Sequence, residues 1–201
     1  MPEGSEVLII LDKVSKSFNG NQVLKDITTT VRTGEVLGLI GKSGSGKSVL
    51  INAMRGNEEY RPDSGRIIYR VNHCESCGWI DLPAAGVKCP MCGKATKIIE
   101  VDFWALNERD PVRMAMRGRI AIMLQRTFAL YGDLSVIENV FEAMKEKSDE
   151  KKVEKAIKLL EMVNMTHRTM HIARDLSGGE KQRTVLARQL ARKPLLFLAD
   201  E

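Results

Sequence analysis

No apolar run in this 201-residue chain reaches the roughly 18 residues that a membrane-spanning helix needs. That absence excludes a spanning helix. The opening Met1-Pro2-Glu3-Gly4-Ser5-Glu6 has no basic start followed by an apolar stretch, which argues against a secretion signal and for a cytoplasmic chain. No segment repeats, and none is long or polar enough to serve as a linker. Charge of one sign is not concentrated either. The formal net charge is +5, with only short basic clusters such as Lys145-Glu146-Lys147 and Lys151-Lys152. A solvated face is the simpler reading, and nucleic acid is not the expected partner. Cysteine is scarce, four residues in all, confined to positions 74–92. What remains, 43% hydrophobic and 28% charged, is the composition of a soluble globular chain with one well-filled core and room for a small appended module.

Against these absences stands one uninterrupted match to G-x-x-x-x-G-K-[ST], running Gly41-Lys42-Ser43-Gly44-Ser45-Gly46-Lys47-Ser48. Glu35-Val36-Leu37-Gly38-Leu39-Ile40 ahead of it reads as a buried strand, and Val49 to Arg55 behind it as the first turns of a helix. Gly41, Gly44 and Gly46, with Ser43 and Ser45 between them, let the backbone wrap closely around an anion. Successive N–H groups and the helix N-terminus then point at phosphate oxygens. Lys47 adds a point charge at the β- and γ-phosphates, and the Ser48 hydroxyl can join the shell of Mg2+. The chemistry implied is the grip of a nucleoside triphosphate.

Elsewhere the pattern is α/β. Val7–Val14 and Val23–Val31 read as antiparallel strands around the turn at Asn19-Gly20-Asn21, with Phe18 just before it. Arg61–Gly65 is a turn, 66–71 a strand, and 119–124 a core strand with Gln125 just past its end. Residues 134–174 read as mostly helical. Ser135 and Glu138 form a capping box, and Val153, Ala156, Ile157, Leu160 and Val163 lie on one helical face. A further helix spans about 180–191, followed by the apolar run Leu195-Leu196-Phe197-Leu198-Ala199, which ends in Asp200-Glu201. A carboxylate at the tip of a buried parallel strand suits Asp200 to Mg2+, directly or through water. Glu201, one residue on, would point to the other side and could polarise an attacking water.

Leu176-Ser177-Gly178-Gly179-Glu180, with Lys181-Gln182-Arg183 behind it, resembles the signature of ATP-binding-cassette (ABC) ATPases. The order of Phe18, the 41–48 loop, Gln125, the signature and Leu195–Glu201 resembles that family too. The resemblance implies an α/β P-loop NTPase of the ABC type, with an antiparallel β subdomain and a helical subdomain over 126–180. It implies ATP and Mg2+ as cofactors and an ATPase that pairs head to tail with a second ABC domain, in the same longer chain. On that pattern Phe18 stacks on adenine, and Gln125 senses Mg2+ and water. Ser177, Gly178 and Gly179 contact the partner domain's γ-phosphate, while Glu201 is the catalytic carboxylate. Family members continue past the equivalent of Glu201 to a histidine that contacts the γ-phosphate. None of His73, His167 and His171 occupies that place, so residues 1–201 are expected to be a partial domain, an incomplete ATPase by itself with an open sheet edge.

Cys74-x-x-Cys77 and Cys89-x-x-Cys92, each followed by glycine, resemble the paired knuckles of a zinc ribbon, set in a module at 73–97. About 25 residues cannot build their own core, so metal would supply much of the module's folding energy. Structural Zn2+ is the expected occupant. An iron–sulfur cluster also suits four thiolates, and disulfides suit a cytosolic chain poorly. This insertion, with Phe128-Ala129-Leu130-Tyr131-Gly132-Asp133 after Gln125, makes the chain similar to the N-terminal half of the methyl-coenzyme M reductase activation component A2 family of methanogenic archaea. That similarity implies ATP-driven closure coupled to reductive activation of methyl-coenzyme M reductase, with the four-cysteine module as a docking surface or brace. The alternative is the nucleotide-binding subunit of an ABC membrane importer. A cassette acting on nucleic acid is a third reading.

Overall fold

Asn19 and Gly20 both take left-handed backbone angles (φ 50° and 81°), the geometry of a two-residue hairpin loop whose twist matches its strands. They join β1 (Val7–Phe18) to β2 (Asn21–Arg32) in an antiparallel pair. The computed structural model describes residues 5–84, 86–124, 130–144, 146 and 148–200, which fall into two compact units, Met1–Arg117 and Gly118–Glu201.

In the first unit β3 (Ser64–His73) pairs with β1 along one edge, from Ile9↔Tyr69 to Ser15↔Ser64. Along its other edge it pairs with β5 (Lys97–Asp102), from Ile68↔Asp102 to His73↔Lys97. The two-residue β4 (Ile80–Asp81) adds at Asn72 and His73. Because β5 occupies the other edge at those residues, β4 must extend β3 on the side that β1 uses. Ile67, Tyr69 and Val71 are buried at every second position, as are Ile9 and Leu11 on β1, which is the half-buried pattern that fixes register. Helix α1 (Lys47–Arg55) buries Leu50, Ile51, Ala53 and Met54. Helix α2 (Pro111–Arg117) begins on a proline, tolerated where no intrahelical N–H partner exists, and the Asp110 carboxylate caps the Val112 amide at 2.8 Å. Arg113 is only 1% exposed. Its guanidinium lies 4.8 Å from the ring centroids of both Phe103 and Trp104, pairs with Glu58 and donates to the Leu106 carbonyl. That combination of ring faces and acceptors makes its burial tolerable.

In the second unit β6 (Ile120–Leu124) and β7 (Leu196–Asp200) are parallel, in register from Ile120↔Leu196 to Leu124↔Asp200. A parallel pair requires a long crossover, supplied here by α3 (Val136–Phe141), α4 (Asp149–Met162) and α5 (Gly178–Ala191). Val136, Val140, Ala156, Leu160, Met165 and Ala187 anchor their common core. The capping box at α3 is present in both directions, Glu138 N–H to Ser135 Oγ and Ser135 N–H to Glu138 Oε2. The buried Asn139 side chain donates to the carbonyls of Tyr131 and Ser135 and accepts from the Tyr131 amide, tying the preceding loop down.

Two expectations need correction. The apolar face of α4 is narrower than its periodicity implies: Ala156 and Leu160 are buried, but Val153 and Ile157 are exposed. Only the stripe that meets α3 and α5 is covered. More consequentially, Glu35–Ile40 is not a strand. It carries no ladder, and Val36 and Ile40 are 97% and 100% exposed. An apolar run states what a strand would bury but not which strand receives its N–H and C=O groups, and pairing decides.

Candidate functional site

The phosphate loop belongs to the first unit. Gly46, the residue before α1, has φ 91°, and a Cβ there would lie 3.0 Å from the Val23 carbonyl oxygen. Left-handed backbone and close approach together demand glycine. The Leu50 amide donates to the Gly46 carbonyl at 2.9 Å, closing the first helical turn. No side chain caps this terminus and no acidic residue lies in its first turn, so the end of the helix keeps its positive polarity. Lys47 Nζ folds back over the loop and donates to the carbonyls of Gly41 and Lys42 at 2.9 and 3.0 Å. An ammonium has three donors, so one remains to meet an anion before either loop bond is surrendered. Gly41, Ser43, Gly44, Ser45 and Ser48 are not buried, Ser48 lying beside the loop in the first turn of α1. These residues fit a triphosphate: an accessible backbone, an uncapped helix terminus, one cation and a nearby hydroxyl. Phe18 is half-buried, edge-to-face on Tyr60 at 5.8 Å, with Lys16 Nζ 5.2 Å from its ring centroid.

The signature and the strand-end carboxylate belong to the second unit. Ser177 precedes α5 in a complete capping box. Its N–H and Oγ both donate to Glu180 Oε2, at 2.8 and 2.7 Å, and Arg168 Nε donates to Glu180 Oε1 at 2.8 Å. These donors, the Ser177 hydroxyl first and then its amide and Arg168, pull the Glu180 carboxyl down to about 2. Gly178 and Gly179 form the first turn of α5. Asp200 ends β7 opposite Leu124, at the C-terminal edge of a parallel pair. Gln125 and Glu201 lie outside the described residues.

The four cysteines form a second constellation within the first unit. All are free thiols, and their Sγ atoms lie within 4.8 Å of one another. Cys74 is 3.5 Å from Cys92, and Cys77 is 3.5 Å from Cys89. Four sulfurs held at about 2.3 Å from one tetrahedral ion would be about 3.8 Å apart, so the donor set fits a metal. The two halves repeat one geometry. The Gly78 amide donates to the Cys74 carbonyl and the Gly93 amide to the Cys89 carbonyl, each at 2.8 Å. The Cys74 and Cys89 amides bond the Trp79 and Lys94 carbonyls, each also at 2.8 Å. Gly78 and Gly93 both have positive φ, 71° and 73°. The Trp79 and Lys94 backbone N–H groups lower the Cys77 and Cys92 thiols, but the neighbouring cysteines and desolvation outweigh them and hold both above their ordinary value.

Sequence reasoning missed the residues that hold these groups. Buried Asn72 donates to the carbonyls of Leu82 and Ala84, and Thr96 Oγ1 donates to the Val87 carbonyl. The one available hint was a polar residue, Asn72, two positions before Cys74 near the end of the strand.

Comparison with known proteins bears on the whole chain. The model of the ABC transporter family matches residues 24–201. An uncharacterized ABC transporter ATP-binding protein of Methanocaldococcus jannaschii is 51% identical over 204 residues, covering 100% of this chain and 37% of its own. A methionine import ATP-binding protein of Mesorhizobium japonicum is 32% identical over 202 residues, covering 100% of this chain and 46% of its own. The chain therefore spans less than half the length of both relatives. Among solved structures, cbiO1 from Clostridium perfringens, part of the ABC transporter complex cbiONQ, superposes with TM-score 0.71 over 98% of this chain and 66% of that one. At 20% identity that likeness speaks for the fold alone.

Proposed function

The chain belongs to the ABC transporter family, and from that premise we propose that it binds Mg2+-ATP through Gly41–Ser48 and hydrolyses it in a pair with a second ABC domain. The observation that carries this reading is the start of α1: glycine in a left-handed turn, a helix terminus without an acidic or side-chain cap, and Lys47 bridging the loop. In this reading Lys47 neutralises the β- and γ-phosphates, while Ser48 and Asp200 hold Mg2+ with Gln125. Phe18 stacks on adenine, Ser177, Gly178 and Gly179 face the partner domain's nucleotide, and Glu201 polarises the attacking water. Residues 126–180 serve as the helical subdomain and 73–97 as an inserted module.

The work coupled to closure is best read as solute import, with a membrane permease as partner. The named import ATP-binding relative supports this over its whole match to the chain. No helix among the described residues is long and apolar enough to cross a membrane, as suits a subunit that meets its permease at the surface. A second reading, carried by the resemblance of the inserted module alone, is a soluble partner enzyme such as methyl-coenzyme M reductase, with residues 73–97 as docking surface or brace. We further read Cys74, Cys77, Cys89 and Cys92 as ligands of one structural metal ion of the Zn2+ class, on the mutual spacing of their sulfurs. Purification of the intact protein with its native partner separates the two couplings. A co-purifying permease that stimulates ATP hydrolysis on reconstitution upholds import. A co-purifying soluble enzyme, with hydrolysis indifferent to any permease, overturns it.

A further inference from the structure

Among the described residues of 74–96 only Cys74, Ile80, Pro83 and Cys89 are buried. Two of these four are the thiols themselves, so apolar burial cannot hold the module together and a metal would be its main cross-link. That cross-link has a mechanical sense. Cys74 and Cys77 directly follow β3, while Cys89 and Cys92 precede β5, so a single ion ties the two strands together just beyond their last pair, His73↔Lys97. Asn72 and Thr96 carry the tie inward by fixing the carbonyls of Leu82, Ala84 and Val87 to the hairpin.

Four residues in from His73, the same hairpin grips the phosphate-loop helix. The Tyr69 hydroxyl donates to the Met54 carbonyl at 2.5 Å, in the last turn of α1. Phe103, the residue after β5, donates its amide to the Ile67 carbonyl and packs on Gly56, which terminates α1. A Cβ at Gly56 would fall 2.4 Å from the Phe103 ring, so the two surfaces are in close contact. Tyr69 and Phe103 also touch each other, with ring centroids 5.8 Å apart. The nine-residue α1, about 14 Å long, carries Lys47 and Ser48 of the phosphate loop in its first turn and this grip at its last.

We propose that occupancy of the four-thiolate site regulates nucleotide affinity at the phosphate loop. A Zn2+-class ion closes the β3–β5 hairpin, the hairpin holds Tyr69 and Phe103 against the end of α1, and α1 presents the loop. Loss of the ion lets the hairpin fray from His73↔Lys97 inward and loosens the support of Met54 and Gly56. The inference rests on reading the cysteines as a metal site. Tyr69 acts as a positioning residue and touches neither ligand.

The test compares the intact protein loaded with Zn2+ and stripped of it by chelator under reducing conditions, Mg2+ being restored before measurement. Calorimetric titration with a non-hydrolysable ATP analogue should show affinity about fivefold or more weaker in the metal-free form, and the nucleotide should raise Zn2+ affinity by the same factor. Tyr69→Phe should retain one Zn2+ per chain while its coupling factor falls toward one. Affinities within about twofold of each other in the two forms overturn the proposal, since that lies below ordinary allosteric coupling. Loss of the whole sheet signal on metal removal also overturns it, because the change would then be unfolding. Failure to bind one Zn2+ refutes the premise about the cysteines, and failure of both forms to bind nucleotide refutes the reading of the phosphate loop.

Discussion

Two helices in this molecule begin at glycine-rich turns, and they begin in opposite electrostatic states. Helix α1 starts after Gly46 with no side-chain cap, no acid in its first turn and Lys47 beside it. Helix α5 starts after Ser177 with a complete capping box, and its Glu180 is itself held by Arg168. The amides of the first are left for an incoming anion. At the second, a carboxylate of the chain has taken that place. A phosphate arriving at α5 therefore has only Ser177 and the glycine backbone to meet it, and meets a negative charge one turn away. On the proposed reading, the difference favours α1 over α5 as the principal anion grip.

The sharpest way to break this comparison is Lys47→Ala. Its ammonium bridges the loop, and hydrogen bonds to charged groups contribute about 1.5–3 kcal/mol each, so Mg2+-ATP affinity should fall by about 10- to 100-fold in calorimetry. Unchanged affinity would move the anion site away from α1. Gly46→Ala probes the backbone itself. Left-handed geometry costs a non-glycine residue about 1–2 kcal/mol, and the new Cβ also meets the Val23 carbonyl, so urea unfolding should show a loss of at least that size. A wild-type unfolding midpoint in that variant would mean the turn does not need glycine.

The smallest effect sits at α5. The Glu180 carboxyl is held at about 2 rather than its ordinary 4.5, so the folded state favours its ionised form. Its contribution to stability is complete above the unfolded value and is lost as pH falls toward the folded one. The stability gap between wild type and Glu180→Gln should hence be constant near neutrality, shrink below about pH 4.5 and close near pH 2. A gap that does not change with acidification would dissociate the capping box from charge.

Features built from neighbouring residues are legible in the chain of letters alone. The 41–48 loop and its helix, the Ser135–Glu138 box, the turn at Asn19-Gly20 and the cysteine spacings each depend on contacts a few residues apart. The exposed Val36 and Ile40 and the buried Arg113 are not legible there, because a partner distant in sequence decides each. Arg113 is a charged residue by composition and a core residue only because Phe103, Trp104 and Glu58 surround it. The roles of Gln125 and Glu201 rest on resemblance, and both lie outside the described residues.

The letters alone carry the family, the 41–48 loop motif and the paired cysteine spacings, because backbone freedom at glycine, helix polarity and donor type are properties of short segments. Tertiary structure alone decided that Cys74–Cys77 and Cys89–Cys92 converge at the tip of one hairpin, and that this hairpin grips the far end of α1 through Tyr69 and Phe103. Strand pairing brings together residues that local preferences cannot relate, and its register sets what each side chain touches.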